Sequence, residues 1–143
     1  MTLHVELVSP ERIAYSGDAK MVIARTTVGD IAFMSGHVPF VGVLQTWPVR
    51  VLHDNDHEDV IAVHQGFVEV SPTDAEGNSR VTILSDVCEV SDTIDVARAK
   101  AAKDRATHLL AGDPNDEAAR EALARAEVRL EVAGQPKSGT THP

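Results

Sequence analysis

Ile94-Asp95-Val96-Ala97-Arg98-Ala99-Lys100-Ala101-Ala102-Lys103-Asp104-Arg105-Ala106 divides the chain into two periodicities. Before it, apolar and polar residues alternate with the two-residue period of a strand. From it to Val132, apolar residues return every three or four positions, as on a helix. Within the stretch itself, Asp95, Arg98 and Arg105 share one helical face, which therefore presents a carboxylate and two guanidinium groups.

On the N-terminal side, Leu3, Val5 and Leu7 alternate with His4 and Glu6 up to Ser9-Pro10. Arg12 to Tyr15 predicts a second strand ending at Ser16-Gly17-Asp18. Met21 to Thr27, Ile31 to Phe33, Phe40 to Leu44 and Val49 to Leu52 follow, with Gly29-Asp30 and Thr46-Trp47-Pro48 as turns. The polar run His53 to Asp59 predicts a solvated hairpin loop into Val60 to Val63. Gly66 permits a bend before Phe67 to Val70, Ser71 to Asn78 is a turn, and Arg80 to Leu84 and Val87 to Val90 complete the series. Eight to ten short strands with frequent turn signals predict an antiparallel β-sandwich or barrel over residues 1–91.

On the C-terminal side the expectation is an antiparallel helical hairpin over residues 92–133. Ser91, Asp92 or Asp95 can cap the first helix, and Leu110-Ala111-Gly112 stops it. Asp113 suits the cap of the second and Pro114 its first position, with Asp116 and Glu117 in the first turn. So short a link returns the second helix antiparallel. The facing positions are Ala99, Ala102, Ala106 and Leu109 against Ala119, Leu123, Ala126 and Leu130. A buried methylene stabilises by about 0.8 kcal/mol, so an alanine-rich seam holds the pair weakly and the hairpin reads as a movable element. Residues 134–143, small, polar and Pro-containing, predict a disordered tail.

The net charge of −9 argues against a nucleic-acid partner, which needs a basic footprint. The acidity sits in the strand-rich part, with thirteen Asp and Glu against five Lys and Arg up to Ser91. A single cysteine, Cys88, implies no internal disulfide and reads as a buried thiol. No apolar run approaches the roughly 20 residues of a membrane span, and no leader opens the chain.

Four arginines recur at helical spacing: Arg98 and Arg105 on the first helix, Arg125 and Arg129 one turn apart on the second. Guanidinium groups suit phosphate oxygens, so a converging set could hold a polyphosphate without a metal. A solvated or i,i+4-paired face is the plain alternative, and there is no glycine-rich phosphate loop. His53 and His57 lie among acidic residues in a turn, without metal-ligand spacing. Ser35-Gly36-His37 offers a hydroxyl and an imidazole, but no nucleophile elbow surrounds them. No catalytic residue is assigned.

Two motifs carry a family resemblance. Gly29-Asp30-Ile31-Ala32-Phe33-Met34-Ser35-Gly36-His37-Val38-Pro39 resembles the Gly-x-Leu-Gly-Ile-x-Pro-Gly-His-x-Pro loop of the epsilon-subunit family of bacterial F-type ATP synthases, with Ala32 and Ser35 replacing the usual Gly and Pro. Ile94-Asp95-Val96-Ala97-Arg98-Ala99 matches that family's Ile/Leu-Asp-x-x-Arg-Ala motif. The resemblance spans Thr2 to Val132. It implies a non-catalytic subunit of the rotor's central stalk that couples proton flow to ATP synthesis, peripheral on the cytoplasmic face of the cell membrane and not inserted in it. The implied partners are the gamma subunit and the c-subunit ring for the sandwich, and the alpha/beta hexamer for an extended hairpin that blocks hydrolysis. ATP is implied as a regulatory ligand of the folded hairpin, on Glu89, Asp95, Arg98, Ala99, Arg105, Arg125 and Arg129; whether Mg²⁺ accompanies it stays open, and no cofactor or resident metal is required. Asp30 and His37 are the implied c-ring contacts. The alternatives are a free-standing ATP-sensing module, a purely structural hairpin, or a small hydrolase using His37.

Overall fold

A computed structural model describes residues 1–134. Ten strands come first: β1 (Leu3–Ser9), β2 (Arg12–Ala19), β3 (Met21–Thr26), β4 (Gly29–Phe33), β5 (Phe40–Leu44), β6 (Trp47–Leu52), β7 (Glu58–Val63), β8 (Gly66–Val70), β9 (Ser79–Leu84) and β10 (Cys88–Val90). A 3-10 turn at Ser91–Thr93 leads into α1 (Val96–Gly112) and α2 (Glu117–Ala133).

The strands form one hydrogen-bonded sheet in the order β10-β7-β6-β3-β5-β8-β9-β1-β2, with β4 paired to β3. Neighbours are antiparallel except β1 and β9, which run parallel. Such a pair cannot be joined by a hairpin, and the seven strands between them supply the crossover. The two ends of the order meet, because β10 touches both β1 and β2. The sheet thus folds over itself into a sandwich closed almost to a barrel. Leu3, Val5, Leu7, Val22, Phe33, Val51, Ile61, Val68 and Ile83 fill one common interior, all essentially inaccessible. Cys88 is buried in the same core, where desolvation pushes its thiol up.

Several local expectations give way to pairing. Ser16, Gly17 and Asp18 do not turn the chain. They continue β2 opposite Glu6, Val5 and His4, because ladder pairing and the His4–Asp18 contact (3.0 Å) outweigh their turn preference. Trp47 and Pro48 likewise open β6, and Pro48 is tolerated because β3 pairs with β6 only from Arg50 onward. Glu58 and Asp59 belong to β7 and not to a loop. Gln65 and Gly66 make the corner between β7 and β8 with φ of 56° and 148°. A Cβ at Gly66 would fall on the Leu84 carbonyl, so this corner requires glycine.

Asp95 caps α1, its side chain accepting the Arg98 amide at 3.0 Å. The expected cap for α2 is corrected. Asp116, not Asp113, accepts the Ala119 amide, while Asp113 closes α1 and folds a turn onto the Asn115 amide. Pro114 therefore lies in the link and not in the helix. Gly134 donates to Leu130 and Glu131 carbonyls as the cap of α2, so it does not begin a tail; residues 135–143 lie outside the described residues.

The hairpin seam is built of small side chains: Ala99 and Ala106 on α1, Ala119 and Ala126 on α2. Ala102, Leu123 and Leu130 are half-buried, and Leu109, expected in the seam, is exposed. It is α2 that lies against the sheet, over β6, β7 and β10. Val128 and Val132 meet Ala62 and Ile94 there in a second apolar cluster separate from the sandwich core, flanked by Val60 and Ala133.

Candidate functional site

Among the described residues, the apolar cluster under α2 is accompanied by a polar contact between hairpin and sandwich. Glu89, on β10, offers a single oxygen, Oε1, to two donors. Arg129 Nε reaches it at 2.7 Å from α2, and His64 Nε2 at 2.8 Å from the β7–β8 corner. All three side chains are mostly shielded, at 19% exposure for Glu89, 28% for Arg129 and 3% for His64. Burial lowers the proton affinity of His64 first, then the Arg129 charge, with Arg125 adding to it; only Glu89 opposes. The imidazole is therefore neutral, with its proton on Nε2.

Of the other arginines, Arg125 approaches the same region. Arg125 sits one turn before Arg129, half-buried and near enough to act on His64. Counted from the interhelix turn, Arg105 stands level with Arg125, and Arg98 close to the level of Arg129. Arg98 and Arg105 are exposed. Among the described residues the side chains of Arg98, Arg105 and Arg125 have no hydrogen-bond or ion-pair partner. Asp95 spends an oxygen on the cap of α1, and Ala99 is buried in the seam. The two helices thus carry three arginines without a partner among the described residues and a fourth held by one carboxylate, the side-chain type that suits polyanions. His64, Val128, Val132 and Ala62 were not among the residues singled out from sequence, and Ile94 only as part of a motif. For His64 the signal was a lone histidine between an apolar strand and a Gln-Gly corner.

The other sequence-predicted positions are placed differently. Asp30 opens β4 and forms a two-pronged pair with Arg25, at 2.8 and 3.1 Å. That contact holds its carboxyl below the ordinary range, and the guanidinium also stacks 3.6 Å over the Trp47 ring. His37 follows the far end of β4. Three residues of strand, roughly 10 Å, separate Asp30 from Phe33, so Asp30 and His37 stand toward opposite ends of β4. The His37 ring packs edge-on against Phe33 at 5.1 Å and hydrogen-bonds the Val38 carbonyl. Ser35 donates to the Gly77 carbonyl at 2.6 Å, so it is not paired with His37 as nucleophile and base.

The His53–Asp59 run is not a merely solvated tip. Asp59, with its side chain 4% exposed, receives Tyr15 Oη at 2.8 Å and His53 Nε2 at 2.9 Å on one oxygen, and His57 Nε2 at 3.1 Å on the other. This network ties β7 to β2, where the two ends of the sheet come together.

The sheet exterior carries a continuous apolar row. Val43, Phe67, Leu84, Val8 and Ile13 are successive cross-strand partners on β5, β8, β9, β1 and β2. Their neighbours Leu44, Val68, Ile83 and Leu7 point into the core, so the row faces outward; Phe67 and Ile13 are more than half exposed. Four of the five also line an open groove of about 990 Å³ that reaches Trp47 and His64. No helix among the described residues is long and apolar enough to cross a membrane.

Comparison with known proteins places these features in context. Residues 2–91 match the family described as ATP synthase, Delta/Epsilon chain, beta-sandwich domain, and residues 92–134 its long alpha-helix domain. The ATP synthase epsilon chain of Bacillus pumilus is 42% identical over 137 residues, covering 94% of this chain and 98% of that one. That of Brevibacillus brevis is 47% identical over 106 residues, or 74% and 76%. That of Streptomyces griseus is 40% identical over 128 residues, or 90% and 92%. A chain in the cryo-EM structure of the Euglena gracilis mitochondrial ATP synthase (OSCP/F1/c-ring) shares the fold, with a TM-score of 0.64 at 19% identity over 92% of this chain and 77% of that one.

Proposed function

Because the chain belongs to the ATP synthase delta/epsilon family, as an epsilon chain and not a catalytic subunit, we propose that it rides on the rotor's central stalk, on the cytoplasmic face of the bacterial membrane, with its C-terminal hairpin as an ATP-responsive brake on hydrolysis. The sandwich docks on the gamma subunit, and the outward apolar row from Val43 to Ile13 supports that contact. An exposed row of this length on a soluble face suits a protein partner. The end of the sandwich bearing Asp30 meets the c-ring, with the Arg25–Asp30 pair as its polar feature. His37 braces the loop against Phe33 and is withdrawn from that contact.

The hairpin exchanges between the docked form described above and an extended form that reaches the alpha/beta hexamer. One observation carries this reading: among the described residues the helices hold the sandwich through a small valine–alanine cluster and a single Arg129–Glu89 contact, and three further arginines on the same helices have no partner. ATP is held in the docked form by Arg98, Arg105, Arg125 and Arg129. Asp95 and Ala99 shape the helix start, and Glu89 orients Arg129. ATP shifts the balance only through its preference for the docked form, and at a hundred times its dissociation constant it adds about 2.7 kcal/mol to that form.

Titration calorimetry with ATP, with and without Mg²⁺, tests the site. We expect binding heat in the native chain and at least tenfold weaker binding in Arg98→Ala and Arg125→Ala. Equal heat in all three proteins would remove the nucleotide from these arginines and leave the stalk role standing.

A further inference from the structure

The neutral ring of His64 presents a lone pair at Nδ1, and no hydrogen-bond partner among the described residues reaches that atom. Protonation would put an unsatisfied N–H in the same buried place and a third cation beside Arg125 and Arg129. Glu89 Oε1 is already shared between His64 and Arg129, so a charged imidazole would compete with the guanidinium for that oxygen. The charged groups facing His64 are Glu89 on β10 and Arg125 and Arg129 on α2. Across the groove that it lines stand Arg25 on β3, Asp86 before β10 and Glu121 on α2.

We propose that His64 is the proton-dependent positioning residue of the hairpin contact. Neutral, it orients Glu89 toward Arg129 and the helices stay docked; protonated, it takes Glu89 for itself and α2 is released. This rests on the reading above that the hairpin leaves the sandwich.

The sign follows from linkage. Release removes two cations from beside His64 and opens Nδ1 to water, so the released form binds the proton more readily. Docking is then unaffected well above the ordinary imidazole value of 6.5, and it weakens as the pH falls below that value. With one proton taken up, the ratio of docked to released chain drops by up to about tenfold per pH unit. ATP and protons push the hairpin in opposite directions, so an acidified compartment would set the brake and abundant ATP would lift it.

The test uses the full chain with spin labels at Glu76→Cys and Glu131→Cys. The native Cys88 is buried with its thiol pushed up, so it is not the labelled site. Inter-label distances are recorded at pH 7.5 and 5.5, each with and without ATP, in the otherwise native chain and in His64→Gln. His64→Asn substitutes where the glutamine variant does not fold. We expect the docked distance to lose population at pH 5.5 in the native chain and to be independent of pH in the variant. An acid response that persists without His64, or a hairpin that ATP moves and acid does not, overturns the role of His64 while leaving the mobile hairpin intact. A hairpin that neither ATP nor acid moves overturns both.

Discussion

Tyr15 and Asp59 show how a single buried carboxylate organises a seam between strands distant in sequence. Asp59 shares the inward face of β7 with Ile61, yet it tolerates burial because Tyr15, His53 and His57 all point at it. Sequence composition cannot display this, since six of seven residues from His53 to Asp59 are acidic or histidine and suggest solvent. Only the closure of the sheet, which lets Tyr15 on β2 reach Asp59 on β7, reveals the phenol. Burial, then the hydrogen bond and charge of Asp59, raise the proton affinity of Tyr15 far above its ordinary value of 10. The unfolded chain ionises near pH 10 and the folded chain does not, so the stability gained at Tyr15 is complete below pH 10. It falls as the pH rises further, by roughly 1.4 kcal/mol per unit. Tyr15 is the only tyrosine, which makes the measurement clean. Absorbance near 295 nm should show no tyrosinate step around pH 10 in the folded protein, and Asp59→Asn should bring the step back toward it. A normal step in the native chain would mean that the phenol is not held by Asp59.

At the scale of the helices, period and propensity were legible and docking was not. The alanine stripe placed Ala99, Ala106, Ala119 and Ala126 correctly in the seam, because small residues at i, i+3 and i+4 leave few other faces to bury. Leu109 is exposed because the buried face of α1 runs through Ala99, Ala102, Ala106 and Leu110, one position off Leu109. Val128 and Val132 were passed over since they lie off the seam, on the side of α2 that meets Ala62 and Ile94. A one-dimensional pattern gives a helix one buried face, whereas α2 has two, one for α1 and one for the sheet. The four arginines were found because their spacing is local, but Glu89 and His64 become their neighbours only through the register of β7 with β10. On the proposed exchange the hairpin should open as a separate unit. Val132→Ala removes two buried methyl groups from the smaller cluster and should weaken docking by about 2 kcal/mol. In hydrogen exchange the amides of α1 and α2 should lose protection while those of the sandwich core keep theirs. Loss of protection in both halves together would show that the hairpin opens only with the whole chain.

For the molecule as a whole, the division of labour follows from where apolar surface is left uncovered. The sandwich was readable from alternation and turn residues, including its near-complete strand count. Its closure, and the parallel β1–β9 pair, come from long-range registers that alternation does not encode. The same registers assemble Val43, Phe67, Leu84, Val8 and Ile13, scattered over five strands, into one outward row, while the adjacent row, Val41-Glu69-Thr82-Glu6-Ser16, is mostly polar. An apolar band beside a polar one is the arrangement of a docking face, with its centre desolvated and its rim wet. Phe67 stands at the middle strand of the exposed part and is 56% exposed, so folding uses little of its surface. Phe67→Asp should therefore leave the urea midpoint nearly unchanged, within about 0.5 kcal/mol of stability. On the proposed docking of this row against the gamma subunit, the variant buries an unpaired carboxylate there, which is costly, and affinity should fall by two orders of magnitude or more. The contrast between an intact fold and lost assembly is what identifies the face. If the variant joins gamma with native affinity, the contact lies elsewhere on the sandwich, and if it loses stability in proportion to affinity, the row belongs to the fold and not to the rotor.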